Sequence, residues 1–100
     1  MSTAAPVEIL DTSVVAISSR QISSAMGPEQ AILQLDSGKY YGLNPVGARV
    51  WQLLAQPHQV SEVLTTLLAE YDVPADRCRA DLFALLQKLQ AAGLVEVRRE

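Results

Sequence analysis

A single cysteine in a chain of 100 residues excludes an internal disulfide. Packing alone must hold the fold, and the chain suits a reducing compartment, the cytoplasm. One histidine beside that cysteine is too small a ligand set for a convincing zinc site. The sequence has no phosphate-binding glycine loop, so neither a metal nor a cofactor is expected. No apolar run approaches the roughly 20 residues that span a bilayer, and no membrane association is expected. Met1 to Pro6 carries no basic residue ahead of an apolar stretch, so it does not read as a signal peptide. Residues 1–13 read as a loose N-terminal segment. Basic residues are in the minority, 8 Lys and Arg against 11 Asp and Glu, for a formal net charge of −3. Phosphate contacts dominate nucleic-acid affinity, which puts an acidic domain at a disadvantage there. Internal repeats and low-complexity tracts are also lacking. What remains is 49% hydrophobic and 19% charged, ample for one domain with one core.

The first half of the chain reads as strands and the second as helices, the order of an α+β domain. Val14 to Ile17 is short, apolar and β-branched. Gln21 to Met26 is a weaker strand, with Ile22, Ser24 and Met26 on one face. Gly27-Pro28-Glu29 is a turn signal. From Gln30 to Asp36, Ala31, Leu33 and Leu35 make an apolar face, while Ile32, Gln34 and Asp36 make a mixed one. Asp36-Ser37-Gly38 turns the chain into Lys39 to Leu43, completing a hairpin. Asn44-Pro45 is a helix start: the asparagine oxygen can cap an orphan N–H, and proline suits the first helical position. That helix presents Val46, Val50, Trp51, Leu53 and Leu54 and ends near Gln56-Pro57. A second, from Val60 to Tyr71, carries Val60, Val63, Leu64, Leu67, Leu68 and Tyr71 at helical spacing. A third starts at Val73-Pro74 and runs to Ala92, with Cys78, Leu82, Leu85, Leu86 and Leu89 on its apolar face. Gly93 follows as a C-cap glycine. Leu94 to Val97 is an extended tail, a further strand or wing. The expectation is an antiparallel sheet of three or four strands followed by three helices, with winged helix-turn-helix character.

The stretch Leu33 to Asn44 (LQLDSGKYYGLN), followed by Gly47 to Trp51 (GARVW), resembles PqqD-like proteins. Leu68 to Val73 (LAEYDV) and the closing Leu89 to Val95 match the same pattern in order and spacing. The resemblance spans 14–97 and comes nearest to the stand-alone precursor-recognition proteins of lasso-peptide clusters. It implies a non-catalytic domain that binds the leader segment of a ribosomally made precursor peptide. The leader would add as an antiparallel strand, with edge backbone groups giving affinity and side-chain pockets giving selectivity. The implied site lies between Lys39 to Leu43 (Lys39, Tyr40, Tyr41, Gly42 and Leu43) and the third helix. The implied partners are the leader peptide, a leader peptidase of the cysteine-protease class and an ATP-dependent cyclase.

The residues themselves allow plainer readings. Tyr40 and Tyr41 point to opposite faces of a strand, one to the core and the other to a groove or to solvent. Gly42 either permits close backbone approach or marks a bulge, and the helix start two residues later favours the bulge. On the third helix Asp81 and Lys88 flank the apolar stripe, with Arg77 and Ala84 nearby. Phe83 flanks the other side, with Arg79 between. The resemblance implies the Asp81 flank as the groove wall, against the alternative of a solvated, mixed-charge face. Cys78 lies on the apolar stripe as a core thiol. A nucleophile would need a base, and the only histidine, His58, falls in a loop. The carboxylates form no pair suited to acid–base work, so the sequence offers no active site. The rival reading is a winged-helix DNA-binding regulator. It would require a basic recognition helix, yet Pro74 to Ala92 sets only Arg77, Arg79 and Lys88 against Asp76 and Asp81.

Overall fold

In a computed structural model, which describes residues 8–98, the chain forms two small antiparallel sheets and three helices. In chain order the elements are β1 (Val14–Ile17), β2 (Gln21–Met26), β3 (Glu29–Gln34), β4 (Tyr40–Leu43), α1 (Pro45–Leu53), β5 (His58–Gln59), α2 (Val60–Glu70), α3 (Ala75–Ala91) and β6 (Val95–Arg98). The α+β class expected from the sequence is the class observed. The strands divide differently from a single sheet, however. β2-β3-β4 form one sheet, while β1 joins β5 and β6 in a second of order β5-β1-β6. The Leu94 to Val97 tail therefore becomes a strand that pairs with β1 across most of the chain's length. His58, expected in a loop, sits in β5 opposite Val15.

Local chemistry explains the boundaries. Gly27, at φ 65, takes the first position of the two-residue loop between β2 and β3, with Pro28 in the second. A glycine in that first position is the II′ hairpin preference. Asn44 caps α1, its Oδ1 accepting from the Gly47 N–H at 2.8 Å, and Pro45 occupies the first turn. Gln59 and Glu62 make a reciprocal capping box at α2. α3 ends in a Schellman motif. The Gly93 N–H donates to the Gln90 carbonyl, the Leu94 N–H donates to the Leu89 carbonyl, and Gly93 sits at φ 75. α1 stops at Leu53, a turn earlier than Gln56-Pro57 suggested.

The core gathers Val15, Ile32, Val50, Trp51, Leu54, Val60, Val63, Leu67, Leu82, Leu86, Leu89 and Leu94. Its sheet wall overturns the alternation read from β3. The buried face is Gln30, Ile32 and Gln34, whereas Leu33 is half-buried and Leu35 is exposed. Gln34 is tolerated inside because both ends of its amide are hydrogen-bonded. Oε1 accepts from the Asp36 and Ser37 N–H groups at 2.6 and 3.0 Å, and Nε2 donates to the Gly93 carbonyl at 3.3 Å. A buried amide with such partners escapes the desolvation cost of an orphaned one. The same bonds lock the β3–β4 loop to the end of α3.

The packed body begins earlier than Val14. Ile9 is buried in the core, and Ser13 is buried with its Oγ accepting from the Leu10 N–H. Asp11 pairs with Arg79, whose guanidinium also stacks over the Phe83 ring at 4.5 Å. Of the loose segment expected over residues 1–13, residues 1–7 lie outside the described residues. No helix among the described residues is long and apolar enough to cross a membrane.

Candidate functional site

β4 is the open edge of its sheet on the side facing α3, and its register decides which backbone groups are free. The Gln34 N–H donates to the Lys39 carbonyl at 2.9 Å, making 34 and 39 a hydrogen-bonded pair. Antiparallel ladders alternate. Tyr41 with Ile32 and Leu43 with Gln30 therefore bond inward, while the N–H and C=O groups of Tyr40 and Gly42 point to the open edge. The register runs unbroken through Gly42, so the glycine marks no bulge. A Cβ there would meet nothing within 4 Å.

Beside this edge lies a cavity of about 680 Å³. Gly42, Leu43 and Asn44 form one wall; Arg77, Cys78, Asp81, Leu82, Leu85 and Lys88 of α3 form the other. The remaining boundary comes from Val46, Gly47 and Val50 of α1, Leu67 and Tyr71 at the end of α2, and Val73-Pro74 in the connection. Val46 and Val73 stand 46% and 44% exposed at its mouth, so apolar surface continues from the floor to the opening. The slot is thus apolar at the floor and charged along the α3 rim.

Most residues singled out in the sequence meet here. Gly42, Leu43, Arg77, Asp81 and Lys88 line the slot, so the Asp81 flank of α3 is the one that faces it. Lys39 lies just before β4 rather than in it, at the far end of the edge. Tyr40 is 76% exposed on the outer sheet face, whereas Tyr41 is half-buried and packs on the core. Neither tyrosine lines the slot. Ala84 is exposed on α3 just outside it. The residues that sequence reasoning missed are Val46, Tyr71, Val73, Pro74 and Leu85.

The polar groups of the rim are ordinary surface charges. Arg77 Nε lies 3.9 Å from Asp81 Oδ2, with side chains 80% and 76% exposed, a weak pair that a ligand can displace. Further from the slot, Arg49 donates twice to Glu70, at 2.9 and 2.7 Å, tying α1 to the end of α2. That hydrogen bonding holds the Glu70 carboxyl below its ordinary range. Among the described residues no group of three His, Cys, Asp or Glu side chains is placed to hold a metal.

Cys78 is half-buried between core and slot. Burial, helped by the negative charge of Asp81, pushes its thiol above the ordinary cysteine value. A raised pKa means less thiolate at any given pH, the reverse of an activated nucleophile. Alkylation of Cys78 by iodoacetamide at pH 8 should therefore run slower than that of an unfolded control. Asp81→Asn should speed it by lowering the pKa, while Cys78→Ser, which keeps the size of the side chain at the slot wall, should change peptide capture only slightly. A Cys78 that alkylates faster than the unfolded chain would contradict this account.

Comparison with known proteins gives one family match and two matches of fold. The family model described as coenzyme PQQ synthesis protein D (PqqD) matches residues 29–95. Among solved structures, TbiB1 in complex with the TbiA(beta) leader peptide is 33% identical, with a TM-score of 0.76. That match covers 81% of this chain and 94% of the other. A lasso peptide synthetase B1 complexed with the leader peptide is 24% identical, with a TM-score of 0.72 over 82% of this chain and 96% of that one. At that identity the likeness speaks for the fold. No curated protein gives a significant match.

Proposed function

The chain belongs to the PqqD family, and from that membership we propose that it is a non-catalytic adaptor for the leader segment of a ribosomally made precursor peptide. The observation that carries this reading is an open strand edge lying alongside an apolar slot. The edge groups of Tyr40 and Gly42 hydrogen-bond an added antiparallel strand, and side chains on the strand's inner face enter the slot between β4 and α3. Gln34 and its pair partner Lys39 lie near the C-terminal end of α3, through the bond from Gln34 to Gly93. A strand antiparallel to β4 therefore enters beside Arg77 and leaves beside Lys88 and Lys39. Leu43, Arg77, Asp81 and Lys88 touch the peptide, Tyr41 supports β4 from beneath, and Ala84 stays outside.

The adaptor works in the cytoplasm of a lasso-peptide producer. It presents the leader to a peptidase of the cysteine-protease class and to an ATP-dependent cyclase. Tethering raises the local concentration of the scissile segment without any chemistry by the tether itself. The match to a protein solved with its leader peptide supports the peptide half of this reading. The acidic balance of the chain disfavours the DNA-binding alternative.

The test is amide-shift mapping on the labelled full chain with the synthetic leader of a short precursor peptide sought among the neighbouring genes. Shifts are expected at Tyr40, Gly42, Val46 and Val73, and along α3 from Arg77 to Lys88. The affinity should lie between roughly nanomolar and micromolar, about −8 to −12 kcal/mol. A leader with proline at a residue whose N–H must face β4 should not bind. Silence in both β4 and α3 would sink strand addition. Salt-sensitive, sub-micromolar retention of a defined DNA duplex would sink the adaptor reading.

A further inference from the structure

The two sheets present four edges, and two are protected in ways that natural sheets use against stray pairing. β5 is only two residues long and β6 carries Glu96 and Arg98, while β4 opens only into the slot walled by α3. β2 has none of these devices. Its six residues, Gln21 to Met26, include no charge and no proline, and Ile22 to Met26 are all exposed.

Its free backbone groups follow from the register. The Leu35 N–H donates to the Arg20 carbonyl at 3.0 Å, so 20 and 35 form a bonded pair, as do 22 with 33 and 24 with 31. Gln21, Ser23 and Ala25 then turn their N–H and C=O groups outward. From this edge we infer that two copies of the chain associate through antiparallel β2–β2 pairing, centred on Ser24, to make one six-stranded sheet.

A second copy suits this edge better than an arbitrary strand. In the Ser24-centred register, Ser23 bonds with Ala25 of the second copy, and Ile22 lies beside Met26 of the second copy. Both apolar side chains share the outer face, where Ile22 is 59% and Met26 63% exposed in the single chain. The ends are complementary as well. Arg20 of each copy, already paired with its own Asp36 at 2.7 Å, comes to the Gly27–Pro28–Glu29 turn of the other, so the cation can share its remaining donors with a second carboxylate at each end. Both β4 edges stay at the outer ends of the joined sheet, so each slot remains open, and the inference does not rest on what the slot binds. An edge of six residues buries less than a standard interface of about 1,600 Å². The dimer is accordingly weak, with Kd on the order of 10–100 µM.

Sedimentation velocity of the full chain, from about 1 µM to about 1 mM, reads this directly. The mass should rise with concentration from 10.9 kDa toward twice that value. Ser23→Pro removes an outward N–H that β3 does not use, and should leave the chain monomeric. Ser24→Lys and Ser24→Glu place like charges at the two-fold axis, so each alone should be monomeric. Their equimolar mixture should recover a dimer. Wild-type protein that stays at the single-chain mass throughout overturns the proposal. So does a dimer that persists in both Ser23→Pro and Ser24→Lys. A charge-swapped mixture that stays monomeric overturns the Ser24-centred pairing.

Discussion

Gly42→Pro is expected to lose leader binding by about a hundredfold or more while the protein stays folded, and Gly42→Ala is expected to keep it. The hydrogen bonds that hold β4 to β3 come from Tyr41 and Leu43, so proline at position 42 removes no internal donor. Tyr41 is already extended, as the residue before a proline must be. Gly42 is not among the glycines with positive φ, and its Cβ direction is open, so backbone strain gives alanine no penalty. What proline takes away is the N–H that faces the added strand, and its ring occupies the place where that strand must approach. An acceptor left unpaired in a covered site costs about 1–3 kcal/mol, and the ring adds to it. A total of about 3 kcal/mol corresponds to the hundredfold. Calorimetric titration of both variants with the leader, alongside thermal unfolding, separates binding from folding. Wild-type affinity in a folded Gly42→Pro protein would mean that β4 is not the docking edge.

Leu86→Ala is expected to cost about 2–5 kcal/mol of stability, whereas Leu85→Ala should cost much less stability and more binding. Leu86 is fully buried among the helices, and its deletion leaves a cavity that the surrounding side chains cannot fill. Against a total of about 5–15 kcal/mol for a domain of this size, the loss lowers the melting temperature by roughly 10–30 °C. Leu85 is half-buried and lines the slot, so truncating it opens the ligand's contact surface instead of the core. Chemical denaturation and leader titration of the two variants should give opposite orders of severity. If Leu85→Ala proves the less stable of the pair, the slot is part of the closed core.

Adjacent residues with opposite fates show where sequence reasoning reached its limit. Helical spacing puts Cys78, Leu82, Leu85, Leu86 and Leu89 on one apolar face, and all five do pack on or beside the core. That face is wider than the core, and its Leu85 edge overhangs the slot. Which edge overhangs depends on where β4, α1 and the end of α2 stop, and no spacing within α3 encodes that. The Asp81 flank was identified through the family resemblance and not from the helix itself. Tyr40 and Tyr41 were correctly assigned to opposite faces by strand alternation, but only the packed sheet decides that Tyr41 is the inner one.

Sequence by itself determined what neighbouring residues can settle among themselves. Asn44-Pro45 starts a helix, Gly93 ends one and Gly27-Pro28 closes a hairpin, because each acts through bonds that span a turn or less. The α+β class followed, since strand and helix periods are local patterns. Tertiary structure decided the rest. It split the strands into two sheets by pairing β1 with β6 and β5, partners remote in the chain. It buried Gln30, Ile32 and Gln34 in preference to the more apolar Ala31, Leu33 and Leu35. The reason is that a sheet buries one face as a whole, and Gln34 finds its partners only when the β3–β4 loop and Gly93 are both in place. The energy that selects that face is distributed over three strands and a helix end, and no single stretch of sequence contains it.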